Sequence, residues 1–303
     1  MNAPSDQLNM ETTPLPLWRE YLTLTKPRVV LLLSFTAFVG VFLSVPGWPP
    51  MVPALAAVVG IWLAGSSAAT VNQVIDQHID SEMARTRRRP LPTGRLTEIQ
   101  ALRFALVLAL LAMMVLVVFV NTLTALLTFL SLIGYAMVYT LWLKRATPQN
   151  IVIGGAAGAA PPLLGWCAIS GHVDPQALLL FLIVFAWTPP HFWALAIARQ
   201  AEYAKVGVPM LPVAYSAELT RLHILLYTII LWLVTLLLWI TNLAGAIYLV
   251  ASTILNIMFF RYAWRLWRKP TQNLPMMTFK FSITYLGFLF LALLIDHYWL
   301  IRI

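Results

Sequence analysis

The chain has 303 residues, of which 60% are hydrophobic and 10% charged, with a mean hydropathy of +0.81. Soluble domains carry roughly 25% charged residues, so this composition excludes an ordinary soluble fold and points to an all-α protein whose solvent is mostly lipid. The net charge of +9 follows membrane topology (below), so no nucleic-acid partner is expected, and the single cysteine, Cys167, excludes an internal disulfide or a cysteine metal cluster.

Residues 1–24 open on a polar stretch with no basic residue ahead of an apolar core. They read as a disordered or interfacial tail rather than a cleavable signal peptide. Residues 25–303 read as a single transmembrane domain. Nine apolar runs follow, near 29–45, 51–71, 101–120, 123–143, 151–169, 177–198, 222–241, 243–260 and 279–295. Each is close to the roughly 17–25 residues that cross a bilayer. The 222–260 stretch is nearly continuous, with only Thr241-Asn242 to mark a turn. As one helix it would overshoot the membrane by about twofold.

Nine spans segregate the charge. One face holds Arg19, Lys26, Arg28, the arginines between 85 and 103, Lys144, Arg145, Arg199, Lys205, Arg221, Arg261, Arg265, Arg268, Lys269 and Lys280, and the other only Arg302. The basic face is cytoplasmic by the positive-inside rule, and the N-terminus lies there. Spans 1–4 and 5–8 form two four-helix units, and in each unit the second span leads into polar chemistry on that face.

In the first unit that chemistry is NQVIDQHIDSEMARTRRRPLPTGR, residues 72–95. Asn72, Asp76 and Asp80 are four apart and so share one helical face, about 40° apart in projection. Asn72 lies almost a turn deeper than an interface requires. Magnesium takes one or two protein carboxylates and completes its shell with water and phosphate oxygens, which suits this face. Arg85, Lys144, Arg145, Arg199 and Lys205 could clamp a diphosphate; Arg88 and Arg89 are assigned to topology. His78 is expected to be peripheral and His172 a loop residue.

The second unit carries WTPPHFWALA and its continuation. Arg199 and Glu202 follow His191 by about 80° and 20° in projection, so all three face one cavity if the helix persists. Tyr203 adds a hydroxyl. Pro189-Pro190 should break or kink this span. Glu202 taken alone reads equally as an interface marker. Trp187, Phe192, Trp193, Tyr135, Tyr139 and Trp166 read mainly as packing and belt residues, with a few available to shield a carbocation. The stretch 153–165, IGGAAGAAPPLLG, permits close helix packing or a broken helix beside a cavity.

Together these residues resemble the UbiA-type intramembrane prenyltransferase superfamily. NQVIDQHID matches its N-x-x-x-D-x-x-x-D mark. TKPRVV (25–30), MARTRRRPLPTG (83–94), YTLWLKRATPQNIVIGGAAGAAPP (139–162), WTPPHFWALA (187–196) and EYAKVGVPMLPV (202–213) match the branch that farnesylates haem. The last third resembles the family in hydropathy alone.

The resemblance implies nine helices around a central cavity, in a bacterial cytoplasmic membrane. There, farnesyl diphosphate would alkylate the vinyl group of haem B, with water addition. It implies Mg²⁺ on Asn72, Asp76, Asp80 and Glu202, and charge neutralisation by Arg85, Lys144, Arg199 and Lys205. His191, Tyr139, Tyr203, Arg145 and Trp187 would contact substrate, with His191 positioning haem through its iron or a propionate. Haem A synthase or oxidase-assembly partners are admitted. Two departures stand out: Glu202 lies in RQAEY where the family usually has aspartate, and Ala146 follows Lys144-Arg145 where a further basic residue is common. A quinone-type prenyltransferase would share the diphosphate machinery. A transporter would suit the repeat, and an oxidase-assembly factor would leave the one-faced carboxylates unexplained.

Overall fold

The computed structural model describes residues 16–299; residues 1–15 of the expected tail, and Arg302, lie outside the described residues. Among those described there are helices and no strands. Residues 17–24 of the expected disordered or interfacial tail are helical. They form helix α1 (Leu17–Leu24), which buries Glu20 and Leu24 and exposes Leu17 and Trp18. Helix α2 (Pro27–Leu43) follows after a bend of 53°. The bend is local chemistry. Proline restricts the residue before it, and here Lys26 takes a left-handed backbone, φ 49° and ψ 58°, immediately ahead of Pro27.

The remaining helices are α3 (Met51–Ile75), α4 (Gln77–Glu82), α5 (Glu98–Phe119), α6 (Thr122–Ala146), α7 (Asn150–Ser170), α8 (Pro175–Ala198), α9 (Gln200–Lys205), α10 (Leu211–Ala214), α11 (Ala217–Ile240), α12 (Ala246–Arg268) and α13 (Leu274–Tyr298). Eight of these are long and apolar enough to cross a membrane, and the bent pair α1–α2 passes the same test of length and apolarity when taken together. Thr241-Asn242 does mark the expected turn, with Asn242 at φ 58°. Several starts are capped as their sequences dictate. Thr97 and Gln100 make a reciprocal capping box, while Asn121 and Ser216 accept from the Thr124 and Leu219 amides.

Lipid dictates the packing. A bilayer offers no hydrogen bonds, so helices satisfy their own backbones and turn apolar side chains outward. Leu106, Leu110, Met114 and Val117 of α5 are exposed in this way, while Ala101, Ala105 and Ala112 face inward. The helices pack in a ring: α2 on α3, α7 and α13; α6 on α7; α7 on α8; and α8 on α11 and α13. The 153–165 stretch resolves to close packing within an unbroken α7. A Cβ on Gly165 would lie 2.0 Å from the Ala37 carbonyl oxygen, and one on Gly40 would lie 2.1 Å from that of Pro162. The small residues seal the seam between the two four-helix units.

Helix α8 also runs unbroken through Pro189-Pro190, so of the expected break or kink the break is corrected. Membrane helices tolerate proline; Pro189 and Pro190 leave the Phe185 and Ala186 carbonyls without amide donors, and one residue earlier Thr188 Oγ1 donates to the Val184 carbonyl at 2.8 Å. No sequence signal marks the π-helical segment Gly134–Leu143 within α6. There the Thr140 hydroxyl donates back to the Tyr135 carbonyl at 2.8 Å. Tyr135 and Tyr139 stack at 5.5 Å, and Tyr139 lies against Gly154.

The last three spans are joined by polar contacts within the bilayer. Asn256 of α12 donates to Thr235 Oγ1 of α11 at 2.9 Å and accepts from the Tyr285 hydroxyl of α13 at 2.7 Å. At the rim opposite the basic face, Asp296 accepts from the amides of Gly245 and Tyr248 at the start of α12. Asp174 accepts from Trp166 Nε1 at 2.7 Å. The acids of that rim are thus structural.

Candidate active site

The two polar motifs sit where helices end. α3 stops at Ile75 and the chain restarts as α4 at Gln77, so Asn72, Asp76 and Asp80 do not lie on one uninterrupted helix. Their spacing survives the break through backbone bonds from the Asp76 amide to the Asn72 carbonyl (3.0 Å) and from the Asp80 amide to the Asp76 carbonyl (2.8 Å). All three side chains are buried.

Each of the three side chains has drawn in a donor from elsewhere in the chain. Asn72 Nδ2 donates to Asp76 Oδ2 at 2.9 Å and to Thr140 Oγ1 at 3.3 Å. Lys144 Nζ donates to Asp76 Oδ2 at 2.6 Å, and Arg89 pairs with Asp80 Oδ2 at 2.5 Å. Lys26 Nζ donates to Asn72 Oδ1. Two of these cations correct the expectation from sequence. Arg89, assigned there to topology, is part of the cluster, and Lys26, at the α1–α2 bend, has a role beyond its charge. Of the predicted clamp, Lys144 is in the cluster, while Arg85 and Arg145 are exposed.

The second motif is also interrupted. α8 ends at Ala198, Arg199 is non-helical, and α9 begins at Gln200. Backbone bonds span this break as well, from the Arg199 amide to the Leu195 carbonyl (3.0 Å) and from the Tyr203 amide to the Arg199 carbonyl (3.1 Å), but the cleft at this end is lined by Glu202 and not by His191 or Arg199. Arg199 Nη1 pairs with Glu202 Oε1 at 2.7 Å, and Lys205 Nζ reaches Glu82 Oε2 at 2.9 Å. That last pair spans a cleft of about 440 Å³ lined by Ser81, Glu82, Arg87, Ala201, Glu202 and Lys205. The two motifs do face one another.

Hydrogen bonding to Lys205 holds the Glu82 carboxyl below its ordinary 4.5. A group with a depressed folded-state pKa contributes above its unfolded value and loses that contribution as pH falls through the folded one. The bridge is therefore intact at neutral pH and opens in acid. Burial raises the Tyr203 hydroxyl, opposed by Arg85, so it stays a neutral donor at neutral pH. His191 lies about two turns deeper, with Nδ1 on Ser282 Oγ at 2.7 Å and its ring stacked on Trp187 and Phe279.

Two carboxylate oxygens, Asp76 Oδ1 and Glu202 Oε2, are buried with no hydrogen-bond partner among the described residues. Buried polar atoms normally have partners. Unpaired carboxylate oxygens are hard donors that suit Mg²⁺, so the residues present fit such an ion. Among the described residues no three histidine, cysteine or carboxylate side chains converge on one point. The structure thus does not gather Asp76, Asp80 and Glu202 into a single ligand cluster.

Membrane-length helices with buried carboxylates set against lysine and arginine at one rim define a class of intramembrane protein with a charged polar site at one end. Residues 33–294 match the UbiA prenyltransferase family, and the chain belongs to that family: it is a membrane prenyltransferase. It is 58% identical over 281 residues to the protoheme IX farnesyltransferase of Methylococcus capsulatus, covering 93% of this chain and 94% of that protein. The Marinobacter nauticus protein of the same name is also 58% identical over 281 residues, covering 93% of each chain. A digeranylgeranylglyceryl phosphate synthase shares the fold with a TM-score of 0.77, at 19% identity over 93% of this chain and 99% of that one. So does a UbiA homologue from Archaeoglobus fulgidus bound to DMAPP and Mg²⁺, with a TM-score of 0.63 at 16% identity over 90% of this chain and 99% of that one.

Proposed function

We propose that this chain transfers a farnesyl group from farnesyl diphosphate to a vinyl group of haem B, giving haem O and diphosphate. The similarity to protoheme IX farnesyltransferases along 93% of the chain supports the substrates. The observation that carries the chemistry is the buried rim cluster, in which Asp76 Oδ1 is left without a partner amid Lys26, Lys144 and Arg89. The C–O bond of farnesyl diphosphate breaks with its electron pair leaving on the diphosphate. The vinyl carbon attacks the allylic cation, and water adds to the resulting porphyrin-side cation with loss of a proton.

The protein supplies fixed charge where negative charge develops, typically the largest catalytic contribution. Lys26, Lys144, Arg89 and Arg199 oppose the growing charge on the leaving group, with Arg85, Arg145 and Lys205 at the outer edge of the cleft. Asn72, Asp76 and Asp80 would hold Mg²⁺ at the first motif and Glu202 at the second, where it would supply further charge neutralisation on the diphosphate. Tyr139, Tyr203 and Trp187 border the path of the isoprenoid and haem. On this reading residues 25–303 act as one domain in a bacterial cytoplasmic membrane, with the site on the basic, cytoplasmic face.

The test is direct. Membranes containing the protein are supplied with haem B, farnesyl diphosphate and Mg²⁺, and extracted haem is weighed by mass spectrometry. The expected product carries farnesyl plus a hydroxyl; unchanged haem alongside prenylation of a quinone precursor would replace this reading with the quinone-type one. Two substitutions probe the parts. Lys26→Ala removes a charge-assisted contact worth roughly 1.5–3 kcal/mol, so KM for farnesyl diphosphate should rise about tenfold or more; an unchanged KM would make Lys26 a hinge residue only. Glu202→Gln should raise the Mg²⁺ concentration needed for half-maximal rate, and an unaltered requirement would return Glu202 to an interface role.

A further inference from the structure

Ser282 of α13 holds two aromatic side chains of α8 at once. Its carbonyl accepts from Trp187 Nε1 at 2.8 Å, and its hydroxyl oxygen lies 2.7 Å from His191 Nδ1. The same hydroxyl oxygen lies 2.6 Å from the Phe279 carbonyl. A serine hydroxyl has one proton. If that proton went to Nδ1, two acceptor oxygens would be left facing each other at 2.6 Å. If it goes to the Phe279 carbonyl, both contacts are satisfied, but only when Nδ1 carries a hydrogen and donates to Ser282. The tautomer is then set, because the partner of one ring nitrogen decides the state of the other.

From this geometry we infer that Ser282 is a positioning residue that locks His191 as the Nδ1–H tautomer, leaving Nε2 as a lone pair offered to the iron of the porphyrin substrate. The inference rests on the proposed haem substrate and narrows it. A neutral imidazole whose Nε2 has no proton cannot donate to a propionate carboxylate, whereas it is the form that ligates iron. The surroundings match such a role. The imidazole lies between the rings of Trp187, at 4.2 Å between centroids, and Phe279, at 4.5 Å, so its plane is fixed as well as its protonation. Both Ser282 and His191 are buried. They sit at similar depth, roughly 10 Å in from the start of α13 and the end of α8, below the diphosphate cluster rather than within it. The last third of the chain thereby acquires a part in the site.

The tautomer is read on the substrate-free protein by ¹⁵N NMR after histidine labelling, with His191→Ala to assign its signals among the five histidines. A protonated Nδ1 and an unprotonated Nε2 are expected; a protonated Nε2 would overturn the inference whatever the enzyme makes. Haem B is then titrated into the purified protein and followed by its Soret band. Ser282→Ala should weaken haem B binding about tenfold, as expected for loss of one buried hydrogen bond, leave KM for farnesyl diphosphate unmoved, and add nothing in a His191→Ala background. Equal loss in both backgrounds, or an equal rise in KM for farnesyl diphosphate, would reduce Ser282 to packing and sink the inference. Absence of farnesylated haem from the wild-type enzyme would defeat the proposed function separately, with the NMR result still standing.

Discussion

Asp76→Asn should lower the rate of prenyl transfer by about a hundredfold to a thousandfold at saturating substrate, the range seen when one preorganised charge-stabilising group is removed. The carboxylate does two things at once. Oδ2 accepts from Lys144 and Asn72, and Oδ1 is the buried, unpartnered oxygen free for a cation. Asparagine keeps the shape and can still accept through one oxygen, but it removes the charge and puts a donor where an acceptor stood. Initial rates of haem farnesylation, with a thermal melt of each variant in detergent, separate chemistry from folding. A variant that melts like the wild type and keeps more than a tenth of its rate would refute this role for Asp76.

Gly165→Ala should have the largest effect on stability. Its new methyl would sit 2.0 Å from the Ala37 carbonyl oxygen and 2.8 Å from the carbonyl carbon. Backbone cannot step aside as a side-chain tip can, so α2 and α7 must separate. Overpacking of this kind costs roughly 1–3 kcal/mol and occasionally more. Gly40→Ala, facing the Pro162 carbonyl at 2.1 Å, should behave alike. A methyl on Gly158, in the same helix as Gly165, would meet nothing within 4 Å, so Gly158→Ala is the control and should leave the melting temperature unchanged. A Gly165→Ala protein that melts with that control would show the seam to be more compliant than its geometry says.

Hydropathy and charge carried most of the fold, because a span is set by length and apolarity, both local properties. The turn at Thr241-Asn242 and the pairing of the two polar motifs were legible for the same reason. Projected angles alone did not say which side chains share a cavity. Backbone bonds carry across the interruptions at both Asp76 and Arg199, yet the cleft at the second takes in Glu202 without His191. Tertiary partners were not legible. Lys26 and Asn72 are 46 residues apart, Asp76 and Lys144 are 68 apart, and His191 and Ser282 are 91 apart. Arg89 was lost among its neighbours because a run of arginines does not say which one turns inward. The proline that follows Lys26 was the one available hint that this lysine is held in place.

The contacts of Asn256 bear on how the protein is made. Spans leave the ribosome in order, so Thr235 is already threaded when Asn256 enters the bilayer, and the amide nitrogen has a partner at once. The amide oxygen must wait for Tyr285 on the final span. Until then the nascent chain carries an unsatisfied acceptor at lipid depth, where such groups are costly. Arrival of α13 removes that cost and in the same step delivers Ser282 to His191. Completion of the fold and completion of the deep end of the site are therefore a single event in biogenesis, and a chain truncated before its last span would lose both.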